Sequence, residues 1–492
     1  MAWMGRIGAG VLTAAAPALA HADVALSPDA PLQVSINSDA SAPKGAVRSD
    51  AAVVVKPRIS DVDAQLSVSF AAGQRGDSNT PWAGVVGFTP YNWSHAGVSL
   101  QAGWTAPLGA RIQLDASDEL RTQTYVGPSA SASRPISLDE AGGASLKASK
   151  SLAAGLALSL EAGLGSDDGA VDLTEGGPGL HRVALRDEHN DLSSRLAWTL
   201  SPKISLDFSD KFETRSLAWG YDGLADDYAA VEPKAAAVLK PMDGAELSVT
   251  LEQATAPLQP GKFAALAEAA VSAGQPAAGS RLRPDQAWQI KAGFKHKFKT
   301  SGALTLAYTQ ADLKSSTELV ELAPGVQAPG SVAGGQRRQW DMSLNLPLGL
   351  VGLDRLSLQG SGLVRQSEIP DPITGVMRPP SGETPYEAKL GLVAELPASR
   401  LRLGLQSQAS GPQTVYSLTR VDEVSISPSV GAFIEYRPAD FALKLQLDDL
   451  AGADRHYVST LYGESRDFPP TGEIDRRIAG GAGFTLSLTR AL

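Results

Sequence analysis

The chain has 492 residues, long enough for several average domains or for one large barrel. Only 20% of it is charged, cysteine is absent and the formal net charge is -10, which argues against nucleic acid as a partner and leaves no disulfide framework. Mean hydropathy is -0.08, and no apolar run of about eighteen residues follows the N-terminus, so transmembrane helices are excluded and only strands could cross a bilayer.

The first residues, MAWMGRIGAGVLTAAAPALAHA, put one basic residue, Arg6, ahead of an apolar run that ends in small residues at Ala18, Ala20 and Ala22. That order predicts a secretory signal peptide over 1–22. The following 23–62 is rich in Ser, Ala, Pro and Asp and holds no sustained period, which predicts a flexible periplasmic leader with at most one irregular strand in AAVVVKPRIS. From DAQLSVSFAAG at Asp63 onward, alternating segments succeed one another, and 63–492 reads as one β domain.

The joins between segments choose the architecture. Short joins follow Trp104, Leu152, Leu200, Leu239, Phe298, Leu348, Leu396 and Tyr436, and long polar stretches separate the hairpins, among them 121–142, 166–190, 311–338, 366–384 and 451–475. A soluble sandwich has no reason for strict alternation of short and long joins. An outer-membrane barrel does, with tight periplasmic turns and long outer loops. The fold class expected is therefore all-β: a transmembrane antiparallel up-and-down barrel of about eighteen strands, within roughly 16 to 22.

In FALKLQLDDL, Phe441, Leu443, Leu445 and Leu447 share one face, and Lys444, Gln446 and Asp448 share the other. A barrel turns the first set to lipid and the second to its lumen. By the same rule Leu247, Val249, Leu251, Leu403 and Leu405 face lipid, while Lys291, Lys295, Lys297, Arg402, Lys444, Gln446 and Asp448 are the lumen-facing candidates. The basic row at 291, 295 and 297 would tune anion passage or pair with Glu246 and Glu252 on the preceding strand. Trp198, Trp340, Tyr386 and Tyr436 fall near strand ends, where an interfacial belt belongs.

Catalytic and metal-binding patterns are missing. His181 and His189 share HRVALRDEHN with Asp187 and Glu188, but convergent metal spacing is absent, and the stretch reads as a solvated loop. Asp448 and Asp449 are strand neighbours that point apart, so they read as rim charges. No enzyme activity, metal or cofactor is expected. GKFAALAEAAVSAG, from Gly261, is the one helix-like stretch, and reads as a helix in an outer loop.

LKLQLDDLAGADRHYVSTLYGESRD, with Arg466, and the closing GFTLSL resemble the C-terminal end of TonB-dependent outer-membrane receptors. DPITG, at 371–375, likewise resembles part of an outer loop of that family. The similarity runs from about Tyr228 to Leu492. It implies a receptor-like barrel for binding or uptake of a solute across the outer membrane of a Gram-negative bacterium. Outer-membrane lipid, the barrel insertion machinery and an unidentified solute are the implied partners. The family's plug is longer than 23–62, no TonB-contact box is legible there, and the chain ends Arg490, Ala491, Leu492 where the family closes on an aromatic. The alternative is a structural or adhesive barrel whose lumen is filled by its own side chains.

Overall fold

A computed structural model of the chain describes residues 32–42, 46–55, 58–59, 62–74, 89–106, 109–126, 133–173, 181–219, 224–256, 262, 266, 269, 282–298, 302–438 and 441–490. The expected signal peptide lies outside them. Among the described residues one antiparallel sheet holds 24 strands and a second holds 4. Four of the 24 are not wall positions of their own. Arg58–Ile59 and Met377–Arg378 are two-residue pieces, while Leu224–Val231 and Val326–Ala333 prolong Lys234–Leu239 and Gln336–Pro347 beside shared neighbours. Twenty positions remain around the wall, inside the expected span and above its centre.

The excess lies at the N-terminal side. Within 23–62, expected to be a flexible leader, Leu32–Ala42 pairs with Ala46–Val55, which pairs in turn with Val62–Gln74. The wall therefore starts well before Asp63. Leu32–Ala42 also meets the last strand, Gly483–Arg490, with Ser41 opposite Thr485 and Ala42 opposite Phe484. That contact brings the two edges of the sheet together, and a barrel needs it, because an open edge leaves backbone groups unpaired in lipid.

Each short join links two strands that pair antiparallel, and the backbone conformations explain several of the described turns. Gly244 has φ 79° and Gly352 φ 82°, left-handed values that glycine adopts without a Cβ penalty. Arg400, at φ 57°, ends the turn after Pro397–Ser399. The long polar joins differ from expectation. Much of 311–338 is a continued hairpin: Ala303–Ala323 runs on to a turn at Gly325 and returns as Val326–Ala333. The described parts of 121–142 and 166–190 also continue their ladders. Polar and apolar residues are mixed on both faces of such extensions, with Leu319 and Ala328 buried, so the simple alternation that marks a strand in sequence is lost.

The two faces of the wall separate as expected. Burial alternates along Phe441–Asp448, with Phe441, Leu443, Leu445 and Leu447 each more than a third exposed. Leu247, Val249, Leu251, Leu390, Leu405 and Leu486 are exposed on the same side of their strands. A continuous apolar band of this kind marks a surface that meets something other than water. Trp198, Trp340, Tyr386 and Tyr436 are exposed with it, and Trp340 packs on Tyr308 across the ladder at 4.7 Å.

Candidate functional site

Opposite the exposed leucines, one part of the wall is laced with ion pairs. Lys147 lies 3.4 Å from Glu161, the Arg195 Nε donates to Asp207 at 2.7 Å, and the Lys211 ammonium donates to Glu213 at 2.7 Å. Glu252 sits between Lys234 at 3.1 Å and Lys291 at 2.6 Å, and also accepts from the Gln289 amide at 2.7 Å. Lys147, Glu161, Arg195, Lys211, Lys234 and Glu252 line a hollow of about 400 Å³. Charges that satisfy one another in this way stiffen a wall and leave little for a ligand.

The sequence candidates fall into two groups. Lys291 takes the cross-strand partner weighed for it, Glu252; Lys295 stands opposite Glu246 in the ladder, and the Lys297 N–H donates to the Gly244 carbonyl at 2.7 Å. On other strands, the Arg402 guanidinium lies 3.0 Å from Glu395 and 3.4 Å from Glu435. Lys444 donates to Gln446 at 2.7 Å, and Gln446 donates to Asp448 at 2.8 Å. Phe433 links this second group, with Arg402 5.4 Å and Lys444 5.0 Å from its ring centre. The ring edge of Phe433 lies against Gly404, where an added methyl would overlap it. Gly404→Leu is therefore expected to lever the ring off the wall and cost about 1–3 kcal/mol, as overpacking does; unfolding in detergent and denaturant would show it, and an unchanged midpoint would refute the packing.

At the end of the wall that carries the long connections, two of those connections build the second sheet. Gln413–Tyr416 pairs with Arg420–Ile426, Arg455–Tyr462 pairs with Pro470–Ile478, and the two hairpins join through Arg420–Ile426 and Arg455–Tyr462. A buried charge cluster clasps this sheet to its neighbours. Asp371 accepts from the Arg378 Nε, from the Arg466 Nη2 at 3.0 Å, and from the backbone N–H groups of Ile373 and Thr374 at 2.9 Å. Arg378 also donates to Glu318 at 3.1 Å, and the Ser381 hydroxyl and N–H donate to Glu318 at 2.6 and 2.8 Å. The Tyr416 ring packs against both guanidinium groups, 4.0 Å from Arg378 and 5.5 Å from Arg466.

Glu318 and Asp371 are 1% and 3% exposed, and their net value lies in fixed geometry rather than in raw stability. Burial alone pushes the Asp371 carboxyl up, but hydrogen bonds from Arg466, Arg378, Thr374 and Ile373 outweigh it and hold the group well below the usual carboxylate range. Burial likewise raises the Tyr416 phenol, against the opposing pull of Arg378. Sequence reasoning noticed DPITG and Arg466 but did not bring them together.

HRVALRDEHN is not a solvated loop. It opens the strand His181–Ser201, and Asp187, 3% exposed, accepts both Nε and Nη2 of Arg215 on the neighbouring strand. Lys262, Leu266 and Ala269 are helical, in line with the helix expected from Gly261, and Leu266 and Ala269 are buried. Lys262 lies 3.5 Å from Asp285, which also accepts the Thr317 hydroxyl at 2.7 Å. Among the described residues no group of three His, Cys, Asp or Glu is placed to hold a metal ion.

No protein-family model matches the chain, and no curated protein matches it. Solved structures do. The siderophore receptor PiuA from Acinetobacter baumannii is 11% identical with a TM-score of 0.58, over 95% of this chain and 82% of that one. The ferric citrate transporter FecA in its unliganded form is 11% identical with a TM-score of 0.62, over 91% of this chain and 70% of that one. The copper transporter OprC is 13% identical with a TM-score of 0.60, over 94% and 82%. At such identities the likeness is one of fold, and the fold is a barrel of the TonB-dependent receptor type.

Proposed function

We propose, from the premise of a TonB-dependent-receptor-like barrel, that the protein resides in the outer membrane of a Gram-negative bacterium and binds or admits a solute. Its short turns lie in the periplasm, its clasped sheet lies outside, and its exposed leucines meet lipid. The observation that carries the reading is the clasped sheet itself. Val424 and Ile426 of that sheet share a hollow of about 210 Å³ with Lys389 and Gln408 of the wall, so the loops roof the polar face at a fixed height. A rigid roof over a polar wall makes a binding vestibule. The solved structures named above, of a siderophore receptor, a ferric citrate transporter and a copper transporter, support a solute role in general terms.

Two measurements test this. The protein is expected to fractionate with outer membranes and to resist carbonate extraction; recovery in the soluble periplasm would refute the location. Liposomes carrying it are expected to swell in small sugars faster than empty ones. The ion pairs around the 400 Å³ hollow favour a second reading, a structural barrel with a self-filled lumen, and liposomes that fail to swell would favour it.

A further inference from the structure

The polar face is not uniform. Away from the ion-paired part, one row of side chains crosses five successive strands: Thr305 stands opposite Ser343, Ser343 opposite Ser361, Ser361 opposite Lys389, and Lys389 opposite Gln408. Among the described residues none of the five makes a side-chain hydrogen bond or ion pair. At about 4.8 Å between strands the row spans roughly 19 Å. Two hollows, of about 280 and 210 Å³, lie along it and share Glu387 and Lys389.

The signs of the charges limit what could bind. Lys389 offers only donors, while Glu387, two residues along the same strand, and Asp341, two strands away on the same hollow, offer only acceptors. Each carboxylate already accepts one partner, Glu387 from the Thr384 hydroxyl at 2.9 Å and Asp341 from the Gln339 amide at 3.0 Å, and each keeps further acceptor sites. A simple anion meets two carboxylates, and a simple cation meets an ammonium. A neutral molecule whose every hydroxyl both donates and accepts satisfies both signs at once, and hydrogen bonds to charged groups are the stronger kind. Leu363 on the wall and Val424 and Ile426 on the roof add apolar surface at the same hollows, suited to the C–H face of a sugar ring.

We infer that the row Thr305–Ser343–Ser361–Lys389–Gln408 binds a short neutral oligosaccharide, with Lys389 donating to ring hydroxyls and Glu387 and Asp341 accepting from them. The inference rests on the solute-binding reading above and names its substrate class.

Calorimetric titration of the full-length protein in detergent tests it, with maltotriose as the neutral probe and glucuronate and glucosamine as charged ones. Maltotriose is expected to bind, glucuronate and glucosamine to bind at least about tenfold more weakly, and Lys389→Met to weaken maltotriose by about tenfold, the effect of losing one charge-assisted hydrogen bond. Lys240→Met, at a turn far from the row, serves as the control and is expected to leave the affinity unchanged. Charged sugars that bind as well as maltotriose, or a Lys389→Met protein that binds it unchanged, would overturn the assignment. If maltotriose gives no heat while liposomes still swell, the site is wrong and the channel stands. If liposomes do not swell in any sugar, the underlying reading fails with it.

Discussion

Arg378→Ala is expected to release the outer sheet from the wall while leaving the wall folded. Among the described residues Arg378 is the only side chain that donates to both buried carboxylates, Glu318 and Asp371, and it also packs on Tyr416. Its removal strands negative charge at positions 1% and 3% exposed, and breaking a buried pair from one side typically costs about 3–5 kcal/mol. The loss falls on the loop layer, since Glu318 sits on the outer extension of its strand and Asp371, Arg378 and Tyr416 lie beyond the ends of the wall strands. Hydrogen exchange should speed up across 413–426 and 455–478 and stay slow across 441–448. Uniform protection in the variant would show that the clasp does not hold the sheet.

The pH dependence of the clasp follows from Asp371. Its carboxyl is depressed in the folded protein, so its contribution is complete above the unfolded value of roughly 3.9 and fades only as pH falls below that, toward the lowered folded value. Loop protection should therefore be flat from neutral pH down to about 5 and weaken only in strong acid.

The second large effect is on the wall. Leu445→Arg places a charge on the exposed apolar face beside Leu443 and Leu447 and is expected to cost about 2–4 kcal/mol of barrel stability in bilayers, against little for Gln446→Arg on the other face. A folding titration into lipid vesicles distinguishes the two. Equal costs would mean that the faces are reversed or that the wall does not meet lipid.

The wall was legible where one face meets lipid and the other does not. Leu443, Leu445 and Leu447 against Lys444, Gln446 and Asp448 carry an unambiguous period of two, and the short turns punctuate it. Legibility failed in two places. In Leu32–Ala42, Leu32, Val34 and Ile36 alternate with Gln33, Ser35 and Asn37 over six residues, and the pattern dissolves into Ser, Asp and Ala before it can be told from a leader. The clasp failed for another reason. Glu318, Asp371, Arg378 and Arg466 come from separate connections, and no local period or spacing encodes a contact that spans 95 positions, as Arg466 to Asp371 does. The row from Thr305 to Gln408 was invisible likewise, because register across five strands is a property of the sheet and of no one segment.

The seam between Leu32–Ala42 and Gly483–Arg490 sets an order of events in time. Its partners are the most distant in sequence among the described residues, Ser41 with Thr485 and Ala42 with Phe484, and the registered contact is short beside the ten pairs that bind Leu32–Ala42 to Ala46–Val55. A chain made from its N-terminus onward holds one side of Leu32–Ala42 vacant until its final strand emerges. For that whole interval an adhesive ribbon edge stands ready to capture a neighbouring molecule, so a chaperone that shields it should matter more to the yield of this protein than any stabilising substitution in the finished wall.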